Sequence, residues 1–338
     1  MRFGILSDCH LGVTRFRKIS NLQNTYCDIN NRVFKEALNI FIENKVDAII
    51  LAGDLFDSPN PGVQSIVVAN ALSLTNIPTY ILGGNHDFSQ RDHAIGCHPF
   101  SLLYGKNLNF STTESKIFDL DDCELTMLPY KCLNEENYKN IYKGKLRDKK
   151  KNSILVFHGS VDLNDSGKEE SEYSLPKEVA TNYDLIIAGH VHIPQIIETK
   201  STSILVPGSL MPSAQANSHC QKPAVYIYDT ENKKIKAIEL KSSPKIHEII
   251  TDKINECLEE ISNKKFSNDL YFIRYNGHVK DIDESAYKRA NQNVLNLSIQ
   301  TSEILETTEI KKVDEFWKFI EKDYPQYYDE FKTFLKED

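Results

Sequence analysis

Short apolar runs, each closed by Gly, Pro or Asp, recur along the first two-thirds of the chain. They predict strands at Phe3–Leu6, Ala48–Leu51, Thr79–Leu82, Glu124–Leu128, Ile154–Phe157, Leu185–Ala188, Ile204–Val206, Val225–Tyr228 and Lys236–Leu240. Between them the period changes. Val33, Phe34, Ala37, Leu38, Phe41 and Ile42 are spaced as one face of a helix over Asn31–Asn44, and Val63–Leu74 reads the same way. Most of these strands are apolar throughout rather than alternating, so they are expected to be covered on both faces. That pattern predicts an α/β fold, a two-sheet β-sandwich flanked by helices.

The texture changes near Ser242-Ser243-Pro244. Beyond it the pattern predicts strand, helix, strand, helix, strand at Ile246–Ile250, Lys253–Ser262, Leu270–Tyr275, Glu284–Asn291 and Val294–Ile299. A small α+β domain over 243–305 is therefore expected after a main domain over 1–242. In the tail over 306–338, Val313, Phe316, Trp317 and Ile320 form one apolar stripe. Tyr327, Tyr328, Phe331, Phe334 and Leu335 form a second, with Pro325 between them expected to break the helix or start a new one.

A length of 338 residues suffices for one large core and a smaller domain. The chain opens directly on a strand-like segment, so no secretory signal is expected. No apolar run is long enough to span a membrane. Seven scattered cysteines without a CxxC pair read as free thiols in a reducing, cytoplasmic compartment. The formal net charge of −8 lacks the basic footprint of a protein that grips nucleic acid alone. Local exceptions are Arg15, Arg17 and Lys18, and the run Lys143, Lys145, Arg147, Lys149, Lys150 and Lys151. If DNA is the substrate, a partner or bound metal must supply much of the positive field.

The candidate chemistry lies just beyond the predicted strands. Asp8-Cys9-His10, Gly53-Asp54-Leu55-Phe56-Asp57, Gly84-Asn85-His86-Asp87, His158-Gly159 and Gly189-His190-Val191-His192 each follow an apolar run. Two adjacent metal ions require a carboxylate that touches both, with nitrogen and oxygen ligands completing each shell. Strand ends hold such ligands rigidly. Any one of these pieces is compatible with an ordinary surface loop; five in this order point to a metal-dependent phosphoesterase. Asp57 and Asp87 read equally well as turn or loop-capping carboxylates, and Cys9 as a residue pointing into the core. His93, His98, His219, His247 and His278 fall outside the motifs and read as structural or surface residues.

The ordered series resembles the calcineurin-like metallophosphoesterase superfamily over roughly residues 1–242. Within that superfamily it is similar to the SbcD nucleases and their archaeal, eukaryotic and T-even-phage relatives. Asp8-Cys9-His10-Leu11-Gly12, Gly53-Asp54-Leu55-Phe56-Asp57, Gly189-His190-Val191-His192-Ile193-Pro194-Gln195 and Val206-Pro207-Gly208-Ser209 carry the finer likeness. The resemblance implies the metallophosphoesterase fold and two divalent ions, manganese by preference. It assigns Asp8, His10 and His192 to the first ion, Asn85, His158 and His190 to the second, and Asp54 to both. His86 would stabilise charge on the phosphate or protonate the leaving oxygen, oriented by the Asp57 carboxylate. The implied activity is that of a DNA exo/endonuclease subunit in double-strand-break repair or recombination. Its partners would be DNA, an SMC-like ABC ATPase and a second copy of the chain. The small domain would cap the nuclease domain and help position or open the DNA. Phe316, Trp317, Ile320, Tyr327, Tyr328 and Phe331 would dock on the ATPase's coiled coil.

Two other functions fit parts of the pattern. One is a stand-alone phosphodiesterase or phosphatase for small phosphoesters; the added domain and the aromatic tail weigh against a minimal enzyme of that kind. Protein phosphatases of the superfamily continue Gly-Asp-x-x-Asp with Arg-Gly, whereas Ser58-Pro59 follows here. The other is a non-enzymatic scaffold for an ATPase, against which the complete ligand set and His86 argue.

Overall fold

The computed structural model of the chain describes all residues except 14–19, 89–98, 133–150, 162–173, 176–182, 200, 213–221, 265–268 and 301–338. The tail residues expected to dock a partner lie outside the described residues, as do Arg15, Arg17, Lys18 and the basic run up to Lys150. Lys151, at the end of that run, is described: its ammonium pairs with Asp119 and donates to the carbonyl of Leu120.

Two six-stranded sheets build the first compact unit. In one, β14 (Lys234–Glu239), β13 (Ala224–Asp229), β1 (Arg2–Leu6), β2 (Ala48–Leu51), β3 (Thr79–Leu82) and β4 (Leu108–Ser111) lie in that order. In the other the order is β11 (Gln195–Glu198), β12 (Ser203–Val206), β10 (Leu185–Gly189), β7 (Asn152–His158), β6 (Cys123–Leu128) and β5 (Lys116–Asp119). The strands β1 to β4 are mutually parallel, as are β6, β7, β10 and β12; β13 runs antiparallel to β1, β14 antiparallel to β13, and the edge strands β5 and β11 antiparallel to β6 and β12. A single core joins the sheets: Phe3, Ile5, Ile50 and Leu82 from the first pack with Leu125, Met127, Ile154, Val156 and Ile187 from the second. The outer face of the second sheet carries its own cluster around Leu155, Phe157, Ile186 and Ile204. The central strands of this sandwich are therefore buried on both faces, which is why they read as unbroken apolar runs.

The helix α1 spans Ser20–Glu43, longer at its N-terminal end than the predicted Asn31–Asn44. Its buried residues Leu22, Tyr26, Ile29, Val33 and Ala37 keep a helical period through the added turns. Phe41 packs so closely on Gly4 of β1 that a Cβ there would lie 2.6 Å from its ring. The predicted helix Val63–Leu74 is two: α2 (Val63–Ala69) and α3 (Ala71–Leu74) meet at Asn70. The Asn70 amide donates to the carbonyls of Ile66 and Leu102 and accepts from the Tyr104 amide.

The small strands β8 (Ser160–Val161) and β9 (Ser174–Leu175) pair in parallel beyond β7. Farther along, β15 (Ile246–Thr251), β16 (Leu270–Asn276) and β17 (Val294–Gln300) form a three-stranded sheet, with α4 (Ile254–Asn263) and α5 (Glu284–Ala290) between them. The chain divides into two compact units, the first comprising Met1–His247 with Phe266–Leu270 and Asn291–Leu295. Among the described residues no helix is long and apolar enough to cross a membrane.

Candidate metal centre

Because β1, β2 and β3 are parallel neighbours, the segments after them emerge at one edge of the first sheet. Those after β7 and β10 emerge together from the second. The loops after β1 and β2 stay zipped beyond the strands: Asp8 N donates to Gly53 O at 3.1 Å, His10 N to Asp54 O at 3.0 Å and Leu11 N to Leu55 O at 2.9 Å. The two sheets meet at this edge through His190 N, which donates to the Asp8 carboxylate at 3.1–3.2 Å, and through His158 Nδ1, 2.8 Å from Ala52 O.

Close backbone approach makes the meeting possible. A Cβ on Gly84 would lie 2.1 Å from Asp54 Oδ1, and one on Gly189 would lie 2.0 Å from Ala52 O. The functional residues themselves are held in unusual conformations. Asp8 (φ 49°), His10 (φ 44°), Asp54 (φ 49°) and His190 (φ 87°) all have positive φ. Non-glycine residues are rare in this region and persist only where surrounding contacts enforce it.

The side chains converge in two groups. In the first, His10 Nε2 lies 3.0 Å from His192 Nε2, 4.0 Å from Asp8 Oδ1 and 3.8 Å from Asp54 Oδ2, and His192 Nε2 lies 3.7 Å from Asp8 Oδ1. In the second, Asn85 Oδ1 lies 3.0 Å from His158 Nε2 and 3.1 Å from His190 Nδ1. Asp54 belongs to both, its Oδ2 being 3.2 Å from His158 Nε2 as well. A carbonyl oxygen only accepts, so His158 Nδ1 carries the hydrogen donated to Ala52 O. Its Nε2 then faces two oxygen acceptors and must carry a proton or coordinate a cation. The two facing Nε2 atoms of His10 and His192 can share at most one proton. Such a donor set suits divalent ions taking nitrogen and oxygen ligands. Within it, Asp8, His10 and His192 form a triad able to hold an ion, as do Asp8, Asp54 and His158.

Electrostatics agree with that reading. Burial alone would lower the His158 pKa, but the Asp54 carboxylate outweighs it and pushes His158 up to about 9. Burial alone would raise Asp54, yet His158, His10 and His86 hold it well below the usual carboxylate range. The His10 pKa is likewise raised: burial opposes the shift, and Asp57, Asp54 and Asp8 overcome it.

His86 is exposed, with its backbone N–H on Asp54 Oδ1 at 2.9 Å. The contact from Asp57 to His86 runs through the main chain: Asp57 O lies 3.2 Å from His86 Nδ1. The Asp57 carboxylate lies instead 3.2 Å from His10 Nδ1. Asp87 is fully buried and caps the loop, accepting from Phe56 N at 3.0 Å and Gly84 N at 2.9 Å. Burial and the neighbouring Asp54 charge raise its pKa to about 7. Cys9 points into the core, where burial and then Asp8 push its thiol well up.

Two supporting residues escaped the motif reading. Ser7 Oγ donates to Asp8 Oδ2 at 2.5 Å and lies 3.1 Å from Ala52 O; a hydroxyl closing an otherwise apolar strand was its only signal. Asn30, on α1, reaches the loop after β1, and nothing local in the sequence marks it.

Comparison with known proteins bears on this geometry. A model of the calcineurin-like phosphoesterase family matches residues 1–194. A DNA double-strand break repair protein Mre11 from Methanococcus maripaludis is 30% identical over 203 residues, covering 57% of this chain and 52% of that protein. The D subunit of the nuclease SbcCD from Staphylococcus saprophyticus is 26% identical over 327 residues, covering 83% of this chain and 82% of that protein. The match thus spans about half the length of the archaeal relatives. Among solved structures, TT1561 of Thermus thermophilus aligns with 71% of this chain and 99% of its own, at 13% identity and a TM-score of 0.46.

Proposed function

The chain belongs to the calcineurin-like phosphoesterase family, and from that premise we propose that it is the nuclease subunit of a DNA double-strand-break repair or recombination complex, using two manganese ions. The observation that carries the chemistry is Asp54 Oδ2, facing His158 Nε2 at 3.2 Å on one side and His10 Nε2 at 3.8 Å on the other. Asp8, His10 and His192 would hold one ion, Asn85, His158 and His190 the other, and Asp54 both. When bound, the ions supply Lewis-acid activation of water and of the phosphate oxygens.

The chain's own residues set the rest. His86 Nδ1 faces the Asp57 carbonyl, so Nδ1 carries the hydrogen and Nε2 is left for substrate. Protonated at Nε2, His86 donates to a phosphate oxygen or protonates the leaving oxygen. Asp57 serves both partners, fixing His86 by its backbone and steadying His10 by its carboxylate.

DNA as substrate is supported by the relatives' names, a break-repair protein and a nuclease subunit. In this reading the chain works as a homodimer with an SMC-like ABC ATPase, docked through Phe316, Trp317, Ile320, Tyr327, Tyr328 and Phe331. The small α+β domain, assigned to 243–305, would cap the nuclease domain and position DNA. The ions and the ATPase would offset a net charge of −8. Free thiols at Cys9, Cys27, Cys123, Cys132 and Cys257 suit a reducing cytoplasm.

The test is digestion of linear DNA and of bis(p-nitrophenyl) phosphate with manganese and with EDTA, in the presence and absence of the ATPase partner. Metal-dependent cleavage of both supports the proposal. Cleavage of the small diester alone, even with the partner present, favours a stand-alone phosphodiesterase. Cleavage of neither favours a scaffold.

A further inference from the structure

We propose that Asn30 is a positioning residue for the first ligand set, locking the backbone on both sides of His10. The inference rests on the two-metal reading. Asn30 Nδ2 donates to Cys9 O at 2.9 Å and to His10 O at 3.0 Å. These carbonyls belong to the two peptide planes that flank the His10 Cα. One amide group therefore fixes both backbone torsions of His10, a residue whose φ of 44° an unsupported chain would leave.

The amide cannot face the other way, because turning it would set Oδ1 against two carbonyl oxygens. In the orientation observed, Oδ1 has no hydrogen-bond partner among the described residues, although Asn30 is 1% exposed. Buried acceptors are ordinarily satisfied. A residue present only to fill space would be better replaced by leucine, which has the same branched skeleton and no orphan acceptor. What Asn30 adds over leucine is its NH2 group, which donates to the carbonyls of Cys9 and His10, on either side of the His10 Cα.

The rest of the cavity wall supports the assignment. Asn30 and Tyr26 of α1 line a small cavity together with Asp8, His10, His192 and Ser209. One turn away, Cys27 Sγ approaches Val13 O at 3.6 Å. The first half of α1 therefore contacts this loop at Cys9, His10 and Val13. His10 Nε2 lies 3.0 Å from His192 Nε2, so a small rotation of the His10 backbone would spoil the first ligand set directly.

The test uses the whole 338-residue chain, with Asn30→Leu, which keeps the branched skeleton without its donors, and Asn30→Ser, which keeps one donor on a shorter arm. Calorimetric titration with manganese should find two sites per wild-type chain. Asn30→Leu should weaken one site by about 10–100-fold and leave the other within about twofold. Its turnover of bis(p-nitrophenyl) phosphate at saturating manganese should fall by a similar factor with little change in KM. Melting of the EDTA-treated variant should fall by a few degrees, because Cys9 O and His10 O lose their donor, and melting of the manganese-loaded variant should fall further. Asn30→Ser should fall between the two. Wild-type manganese binding in Asn30→Leu would overturn the proposal while leaving the two-metal reading intact. An equal loss of melting temperature with and without manganese, in both variants, would assign Asn30 to the fold and overturn it as well. Failure of the wild-type chain to bind two ions would instead refute the two-metal reading beneath it.

Discussion

His158 illustrates how strongly single residues constrain this centre. Its Nδ1–H is committed to Ala52 O, its Nε2 points at Asp54 and Asn85, and its pKa is raised to about 9. Below that pH the Nε2 proton occupies the position an ion would take. Manganese must displace it, so metal affinity should rise with pH up to about 9 and level off above. Calorimetry in buffers of different ionisation enthalpy will report the released proton; affinity independent of pH between 6 and 9 would contradict the assignment. Asp54→Ala should lower turnover at least about a thousandfold, roughly 4 kcal/mol of barrier, since both ions lose their shared ligand. His86→Gln should lose about 10²–10⁴-fold in turnover while retaining two bound ions, measured by calorimetry beside the steady-state assay. The placement of Asp8, Asp54, Asn85, His158 and His190 was legible in the sequence because each follows an apolar strand. The separate roles of the two halves of Asp57 were not. Whether a carboxylate or its own carbonyl meets a histidine depends on how two loops are zipped together, and neither loop shows that alone.

At the scale of elements, loop architecture matters as much as the ligands. Asp87 ties the loop after β3 to the loop after β2 through Phe56 N and Gly84 N. Asp87→Ala would leave two buried N–H groups unpaired, a loss of about 2–4 kcal/mol. It should lower the melting temperature by several degrees and reduce turnover by displacing Asn85. Gly84→Ala is the sharper probe, because its Cβ would meet Asp54 Oδ1 and Asp54 N, neither of which can yield without moving the centre. Manganese binding should be lost in Gly84→Ala yet retained in Gly62→Ala, where a Cβ meets nothing within 4 Å. The buried central strands were readable from their apolar runs; β4 was not, and neither were β5 and β11. The latter two lie at sheet margins with mostly exposed residues, so neither an apolar run nor a full alternation marks them. The early turns of α1 carry the right spacing at Leu22, Tyr26 and Ile29. There the asparagines and other polar residues between them hid a helix that only tertiary packing makes evident.

For the whole molecule, the balance of charge is the main physical constraint on the proposed DNA chemistry. A chain of net charge −8 that gathers Asp8, Asp54 and Asp57 around one centre would repel the proposed phosphodiester substrate until cations enter. Metal therefore governs substrate approach as well as reactivity. Deleting residues 310–338 should leave hydrolysis of a small diester unchanged while abolishing co-purification with an SMC-like ATPase. A truncated chain that still retains the ATPase would refute the docking role of the tail. The central claim, that two ions share Asp54, is tested most directly by electron paramagnetic resonance of the manganese-loaded chain. Two ions per chain with an exchange-coupled spectrum are expected, with loss of that coupling in Asp54→Ala. A single ion, or two uncoupled ions, in the wild-type chain would contradict the claim.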